Sequence, residues 1–414
     1  MLTGKTMLET AKGSGSGWSW GALPLYVRIL IGLVLGLVAG VVLGERAQTF
    51  DLPAKLVLRV LGALAPVIVF LAVVNALVTA DVRGRMARKL GALLLVNSFV
   101  AICVGLLVAN VLRPGSHASL AAPGSELRAP KGDVIAQLLD NVPDSLLRPF
   151  VDNKVIGVVL IALALGIAGR KQTGSRRELL VNGLGLAFDL VIQVLHFVIA
   201  AVPFAVFGKI ASIVGTAGFA PFRALGAFVA AVLLALLLQL GWYLLRIRLK
   251  SSFRPLEVVR GMRDALVMAF STASSTATMP VTYERLKALG LRERSSSLGA
   301  LVGANFNNDG TALYEAMSAL FIAQLLGHDL TLTDQFLIVL TSMIASVGAA
   351  GIPEAGLVTM TLVFTAVNLP IEYIALLLPV DWFLDRCRTA INVMGDVNVA
   401  CVLDGRTRKS SESE

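Results

Sequence analysis

The chain has 414 residues, 56% hydrophobic and only 15% charged, with a formal net charge of +9. Soluble domains carry about 25% charged residues, so the composition excludes an ordinary soluble enzyme and points to an all-α, multi-pass membrane protein. Aromatic residues make up 7% of the chain and alternating ten-residue segments are lacking, which excludes an outer-membrane barrel. Residues 1–24 form a polar, Gly/Ser-rich lead-in without the apolar core of a cleavable signal peptide, and are expected in the cytoplasm. Apolar runs follow near 25–44, 56–80, 90–112, 152–169, 180–215 and 224–245. They read as six spans, the fifth long enough to be strongly tilted or bent. Basic clusters follow the second run (Arg83, Arg85, Arg88, Lys89), the fourth (Arg170, Lys171, Arg176, Arg177) and the sixth (Arg246, Arg248, Lys250, Arg254). Alternation puts all three on one side, which the positive-inside rule makes the cytoplasm, and no nucleic-acid partner is needed to explain the charge.

The next basic cluster is Arg285, Lys287, Arg292 and Arg294, and the stretch before it, "GMRDALVMAFSTASSTATMPVTYER", has a Ser/Thr-rich centre and a proline flanked by short arms. A single crossing would put the cluster outside, so the stretch reads as a re-entrant hairpin. Irregular backbone at membrane depth is tolerated only where protein or a cavity surrounds it. Residues 297–324 then cross outward to "GHDLTLTDQ", which lacks Lys and Arg. Next, "FLIVLTSMIASVGAAGIPEAGLVTMTLVFTAV" places two apolar arms around a Gly/Ala/Pro tip, and residues 371–403 cross inward to a basic tail. Parity closes only with two hairpins entering from opposite sides. Paired interrupted segments of this kind mark the substrate site of a secondary transporter.

The last span contains "DWFLDRCRTAINVMGD", residues 381–396. At about 100° per residue, Asp381, Asp385, Arg388, Asn392 and Asp396 fall on one stripe while Arg386 points away. An ionisable group near the bilayer centre costs about 2.5–3.5 kcal/mol even on lenient scales, so such a stripe must face a cavity, a partner or an ion. Cys103, Cys387 and Cys401 suggest no disulfide framework, and His117, His196 and His328 are too scattered for a metal cluster. The chain has no GxxxxGK[ST] loop, hence no ATP motor of its own.

Four ordered motifs, "SSTATMPVT", "NNDGTALYEA", "SVGAAGIPEAGLVTM" and "DWFLDRCRTAINVMGD", resemble those of the dicarboxylate/amino acid:cation symporters, the glutamate transporter family. The resemblance covers most of the chain and is densest from about 265 to 403. It implies eight transmembrane helices plus two re-entrant helical hairpins in an elevator fold with inverted repeats. It also implies a homotrimer embedded in lipid, in a cell membrane (a bacterial inner membrane as the expected case), with both termini cytoplasmic. Within 25–250, spans 1, 2, 4 and 5 would be scaffold, while spans 3 and 6 would join residues 251–404 in a mobile transport domain. Residues 405–414 would be a cytoplasmic tail.

By the same resemblance the substrate is a small acidic amino acid, aspartate or glutamate. Asp385 would hold the ammonium. Asn392 and the backbone around Ser274 and Ser275 would take the α-carboxylate, with Thr389 supporting the head group. Arg388, whose planar fork suits bidentate capture of a carboxylate, would take the side chain, helped by Thr311 and the amide of Gly356. Ile352 lies at the expected extracellular lid. Neutral amino-acid members of the family lack the arginine, and the C4-dicarboxylate branch generally lacks the aspartate, so the pair favours an acidic amino acid. Sodium- or proton-coupled C4-dicarboxylate or neutral amino-acid transport stays the alternative within the family. An internal Asp385–Arg388 pair without a ligand is the structural alternative. An ion channel is the rival from another class, and oppositely charged groups spaced for a zwitterion make a poor conductive filter.

Sodium is the implied coupled ion. One would sit among Asp396 and the carbonyls of Gly303, Asn307 and Asn392, and a second near Asn305, Ser346, Val347 and Ala349. At the third place the chain departs from the family pattern: Leu94 and Asn97 replace Tyr and Thr, and Asn308 replaces Met, while Ser98 and Asp309 remain. Either Asn97 supplies a lost ligand or the third sodium is absent. Glu315 stands where the animal excitatory amino-acid transporters are thought to carry a coupled proton; permanent pairing with an arginine is the alternative. Ala273 stands where archaeal members place an arginine.

Overall fold

The computed structural model describes residues 23–79, 84–118, 120, 142–348 and 355–405, and among them the regular structure is helical, without a strand. Helix α1 (Leu25–Leu43) runs through a 3-10 turn into α2 (Leu52–Thr79). Then come α3 (Gly84–Leu112), α4 (Val155–Gly169), α5 (Gly174–Ala200), α6 (Val202–Ala217) and α7 (Ala220–Lys250). The long fifth run, expected to be tilted or bent, is divided into two helices. It breaks between α5 and α6, where Pro203 lacks the N–H that would continue the helix but fits a first turn.

Glycines set the approach of α1 to α6. Gly32, Gly36 and Gly40 recur every four residues, and a Cβ on Gly36 would stand 2.7 Å from the Phe207 carbonyl oxygen. A Cβ on Gly40 would stand 2.6 Å from the Val214 Cβ, so the helices touch backbone to backbone, the small-residue packing of apolar helices. By contrast, α5 exposes Leu179, Leu186, Leu190 and Phe197, an apolar flank suited to lipid or another subunit. The stretches Leu25–Thr79, Arg88–His117, Gly174–Ala200 and Ala220–Lys250 are long and apolar enough to cross a bilayer.

The C-terminal half consists of interrupted helices. Helices α8 (Arg263–Thr272) and α9 (Ser275–Ala288) are separated at Ala273, which takes a left-handed φ of 52°. Ser274 then caps α9, its hydroxyl accepting from the Ala277 N–H at 3.1 Å. The chain therefore turns ahead of the expected proline: Pro280 lies inside α9 rather than between the arms. Residues 298–302 form a π turn, Gly303–Phe306 a single helical turn, and the backbone unwinds at Asn307 and Asn308 before α10 (Asp309–Leu325). Helices α11 (Leu332–Gly348) and α12 (Ala355–Ala366) pack on each other, and α13 (Ile374–Asp404) closes the chain.

Hydrogen bonds define the two ends of the bundle. At one end the Arg177 guanidinium donates to the Val78 carbonyl (3.3 Å), Lys89 to the Val402 carbonyl (3.2 Å) and Arg292 to Asp404 (3.0 Å), while Arg285 pairs with Asp264. At the other, Arg113 pairs with Asp329 (2.6 Å), Asn110 donates to Gln335 (2.8 Å) and Lys209 pairs with Asp51 (3.3 Å) beneath the ring of Tyr373. The α8–α9 pair starts and finishes at the first end, and the α11–α12 pair at the second. Helices α10 and α13 occupy the middle, with α3 against α10 and α7 against α13. Arg246 leaves the basic cluster to which its position assigned it: it is buried and donates to the Asn97 side chain of α3.

Candidate functional site

All five members of the polar stripe on α13 are buried, whereas Arg386 is half-buried and stacks on Trp382, 4.5 Å from guanidinium to ring centroid. Arg388 is 0% exposed, so its charge depends wholly on neighbouring groups. Its Nη2 lies 2.8 Å from Asp385 Oδ1 and 3.0 Å from Asp381 Oδ1, and its guanidinium sits 4.0 Å from the centroid of the Tyr314 ring. Nε and Nη1 have no hydrogen-bond partner among the described residues. One edge of the fork is neutralised while another retains unused donors. Such donors in a buried site suit an incoming carboxylate.

The surroundings come from breaks in other helices. Unwinding at Asn307 and Asn308 frees the first N–H groups of α10, and the Gly310 N–H donates to Asn392 Oδ1 at 2.7 Å. A Cβ on Gly310 would stand 2.8 Å from the Arg388 carbonyl oxygen, so the start of α10 lies directly on α13. The Asn392 amide donates to Thr311 (3.3 Å) and to Asn308 Oδ1 (3.5 Å), and the Thr389 hydroxyl to the Asp385 carbonyl (2.8 Å). A Cβ on Gly356 would stand 3.2 Å from Thr311 Cγ2 and 3.5 Å from Arg388 Nη1, so α12 lies closely against the guanidinium. Ser274 and Ser275 are buried at the junction of α8 and α9, both of which pack on α13. Ile352 and Ala349 lie outside the described residues.

Deeper in the bundle, Asp396 accepts from the Asn307 amide at 3.2 Å, and a Cβ on Gly303 would overlap its carboxylate. Asn308 donates to the Ser346 carbonyl at 2.9 Å. Val347 is half-buried nearby on α11, while Asn305, also half-buried, donates to its own helix at Leu301 (3.1 Å). Asp309 accepts from the Ser98 hydroxyl on one oxygen (2.6 Å) and from the Tyr243 hydroxyl on the other (2.5 Å). Among the described residues Asn97 makes no hydrogen bond to Asp309; its carboxamide oxygen accepts from Arg246. Leu94 turns instead to a small apolar cluster with Leu90, Leu298, Val399 and Leu403. Glu315 is fully buried and accepts from the Thr359 hydroxyl, not from an arginine, and its Oε2 has no partner among the described residues.

Sequence reasoning missed Tyr314 beneath the guanidinium and the α7 residues Gln239, Tyr243 and Arg246. The α7 signal was present: three polar residues at i, i+4 and i+7 on an apolar helix share one face.

Excitatory amino acid transporter 4 of Mus musculus is 39% identical over 262 residues, 62% of this chain and 46% of that protein. The chain thus matches about half the length of the excitatory amino acid transporters. The C4-dicarboxylate transport protein of Bordetella avium (strain 197N) is 30% identical over 398 residues, 92% of this chain and 88% of that protein. That of Rhodospirillum rubrum is 30% identical over 395 residues, 92% of this chain and 87% of that protein. The profile of the sodium:dicarboxylate symporter family matches residues 25–406, and the chain belongs to that family of membrane transporters.

Proposed function

We propose that the chain is a secondary active symporter for acidic amino acids, aspartate or glutamate, driven by sodium. The observation that carries this reading is the buried Asp381–Arg388–Asp385 cluster, with a guanidinium whose Nε and Nη1 have no partner among the described residues. Asp385 and Arg388 pair with each other at 2.8 Å. An amino-acid substrate exchanges that pair for two others: its side-chain carboxylate takes Arg388 and its ammonium takes Asp385, while Asp381 continues to balance the guanidinium. The ammonium and the side-chain carboxylate each meet an opposite charge, and the α-carboxylate meets neutral hydrogen-bonding groups, which keeps the desolvation cost from being prohibitive. Thr311 and the Gly356 amide flank the Arg388 subsite. Asn392, Thr389 and the start of α9 at Ser275 flank the α-carboxylate.

Sodium is cargo here, and the Asp396 carboxylate and the Ser346 carbonyl, each held by a single side-chain amide, offer the hard oxygen ligands that suit such a cation. Glu315, buried beside α12 with one uncommitted oxygen, is positioned to carry a proton in the same cycle. The reading extends to a homotrimer with α1, α2, α4, α5 and α6 as scaffold. Helices α3, α7, α10 and α13 and the interrupted pairs would move as the elevator, with the basic end of the bundle in the cytoplasm.

A second reading, C4-dicarboxylate transport, is favoured by the bacterial relatives that match over 92% of this chain. A dicarboxylate brings no ammonium, however, and would set a second carboxylate beside Asp385 with no positive group to offer it. The test is uptake of radiolabelled aspartate into proteoliposomes with and without an inward sodium gradient. Gradient-dependent accumulation supports the proposal. Accumulation of succinate but not aspartate would replace it with the second reading.

A further inference from the structure

Gln239, Tyr243 and Arg246 present one polar face of α7 to Asn97 and Ser98 of α3 and to Asp309 of α10. Every one of the contacts there places a proton donor on an oxygen. Ser98 and Tyr243 hold the two Asp309 oxygens at 2.6 and 2.5 Å. Arg246 holds the Asn97 carboxamide oxygen, and Gln239 donates to the Asn97 carbonyl at 3.4 Å. These are the oxygens an alkali cation would need at the third place. They are directed at donors instead, and a guanidinium only 9% exposed lies behind them. A buried guanidinium needs a counter-anion, and a cation entering beside it meets like charge. Asn97 also fits this role better than a cation ligand's: Arg246 has fixed its oxygen, and its Nδ2, a donor, is left without a partner among the described residues.

We propose that Arg246 is the resident cation of this corner. Its guanidinium, carried on Asn97, balances the Asp309 carboxylate and stands in for the ion that Asp309 would otherwise draw from solution. The chain then couples substrate to no sodium at Asp309, leaving only the Asp396 and Asn308–Ser346 places. The inference rests on the sodium-coupled reading above and deepens it.

The experiment is aspartate binding to the purified full chain across a range of sodium concentrations, read as the slope of log apparent affinity against log sodium. The wild-type slope is expected not to exceed about two, and Arg246→Met to raise it by up to about one unit as Asp309 recruits a free ion. Arg246→Lys, which keeps the charge, should leave the slope unchanged. The charge-balanced double variant Arg246→Met/Asp309→Asn should also keep the wild-type slope, and it decides the matter if the single variant does not fold. A wild-type slope near three, an unchanged or lower slope in Arg246→Met, or a double variant about one unit below wild type would overturn the inference while leaving sodium coupling intact. Sodium-independent aspartate binding by the wild type would instead overturn the coupling reading, and this inference with it.

Discussion

Two buried charge clusters lie along the same core and are built in opposite ways. Around Arg388 the opposing charges come from a single helix, with Asp381, Asp385 and Arg388 at helical spacing, and part of the guanidinium is left unengaged. Around Asp309 the charges, Asp309 and Arg246, come from two helices, α10 and α7, joined through neutral groups of α3, and both carboxylate oxygens are already engaged. The first cluster is arranged to exchange partners, the second to keep them. Buried charge alone therefore does not mark a transport site; the distinction lies in whether the charged groups themselves keep unused donors among the described residues.

The largest expected effect follows from the first cluster. Arg388→Ala leaves Asp381 and Asp385 buried without their cation and removes the carboxylate fork. Truncating one partner of a buried pair costs about 2–5 kcal/mol, so aspartate affinity should fall at least about tenfold by binding calorimetry. Undiminished affinity would dissociate Arg388 from the substrate. Next comes Asp396→Asn, which alters the carboxylate that accepts from Asn307. If that place holds a coupled sodium, the sodium slope of aspartate affinity should drop by up to about one unit, whereas an unchanged slope would make Asp396 a packing group like Asp309.

Glu315→Gln sharpens the contrast in another way. A carboxyl that carries a proton must be loaded from the outside, so wild-type uptake at fixed sodium should fall as external pH rises. The glutamine, neutral at every pH, should flatten that dependence while sodium-driven uptake continues. A pH profile that survives the substitution would move proton coupling elsewhere.

Much of the first cluster was legible in the sequence because one helix supplies it: the 100° spacing places its residues on a stripe before any tertiary contact is known. The paired interruptions were legible too, from charge parity and the small-residue motifs. The second cluster was not. Arg246 sits next to Arg248 and Lys250 at the end of an apolar run, and in one dimension a buried guanidinium and a topology signal look alike. Asn97 and Ser98 acquire meaning only when α7 is laid against α3. Within the first interrupted pair, Pro280 drew attention as the breaker, yet the turn is made at Ala273. A proline can be held inside a packed helix, whereas a left-handed residue cannot continue one.

The smallest effects concern the frame around the clusters. Gly36→Ala should overpack the α1–α6 contact, destabilising the protein by about 1–3 kcal/mol and lowering its melting temperature in detergent. Ala273→Gly should act in the opposite direction. Alanine at a φ of 52° carries left-handed strain that glycine relieves, a gain of less than about 1 kcal/mol after glycine's own entropy cost. A lower melting temperature in that variant would show that the Ala273 methyl group packs usefully at the turn.

The central claim is that the partner-exchanging cluster is made for a zwitterion with a second carboxylate. Its most direct test is equilibrium binding of aspartate, succinate and serine to the purified protein at saturating sodium. Aspartate alone offers a carboxylate to Arg388 and an ammonium to Asp385, so it should bind at least about tenfold more tightly than either of the others. Succinate binding as tightly as aspartate would contradict the account, because Asp385 would then have no substrate group to hold.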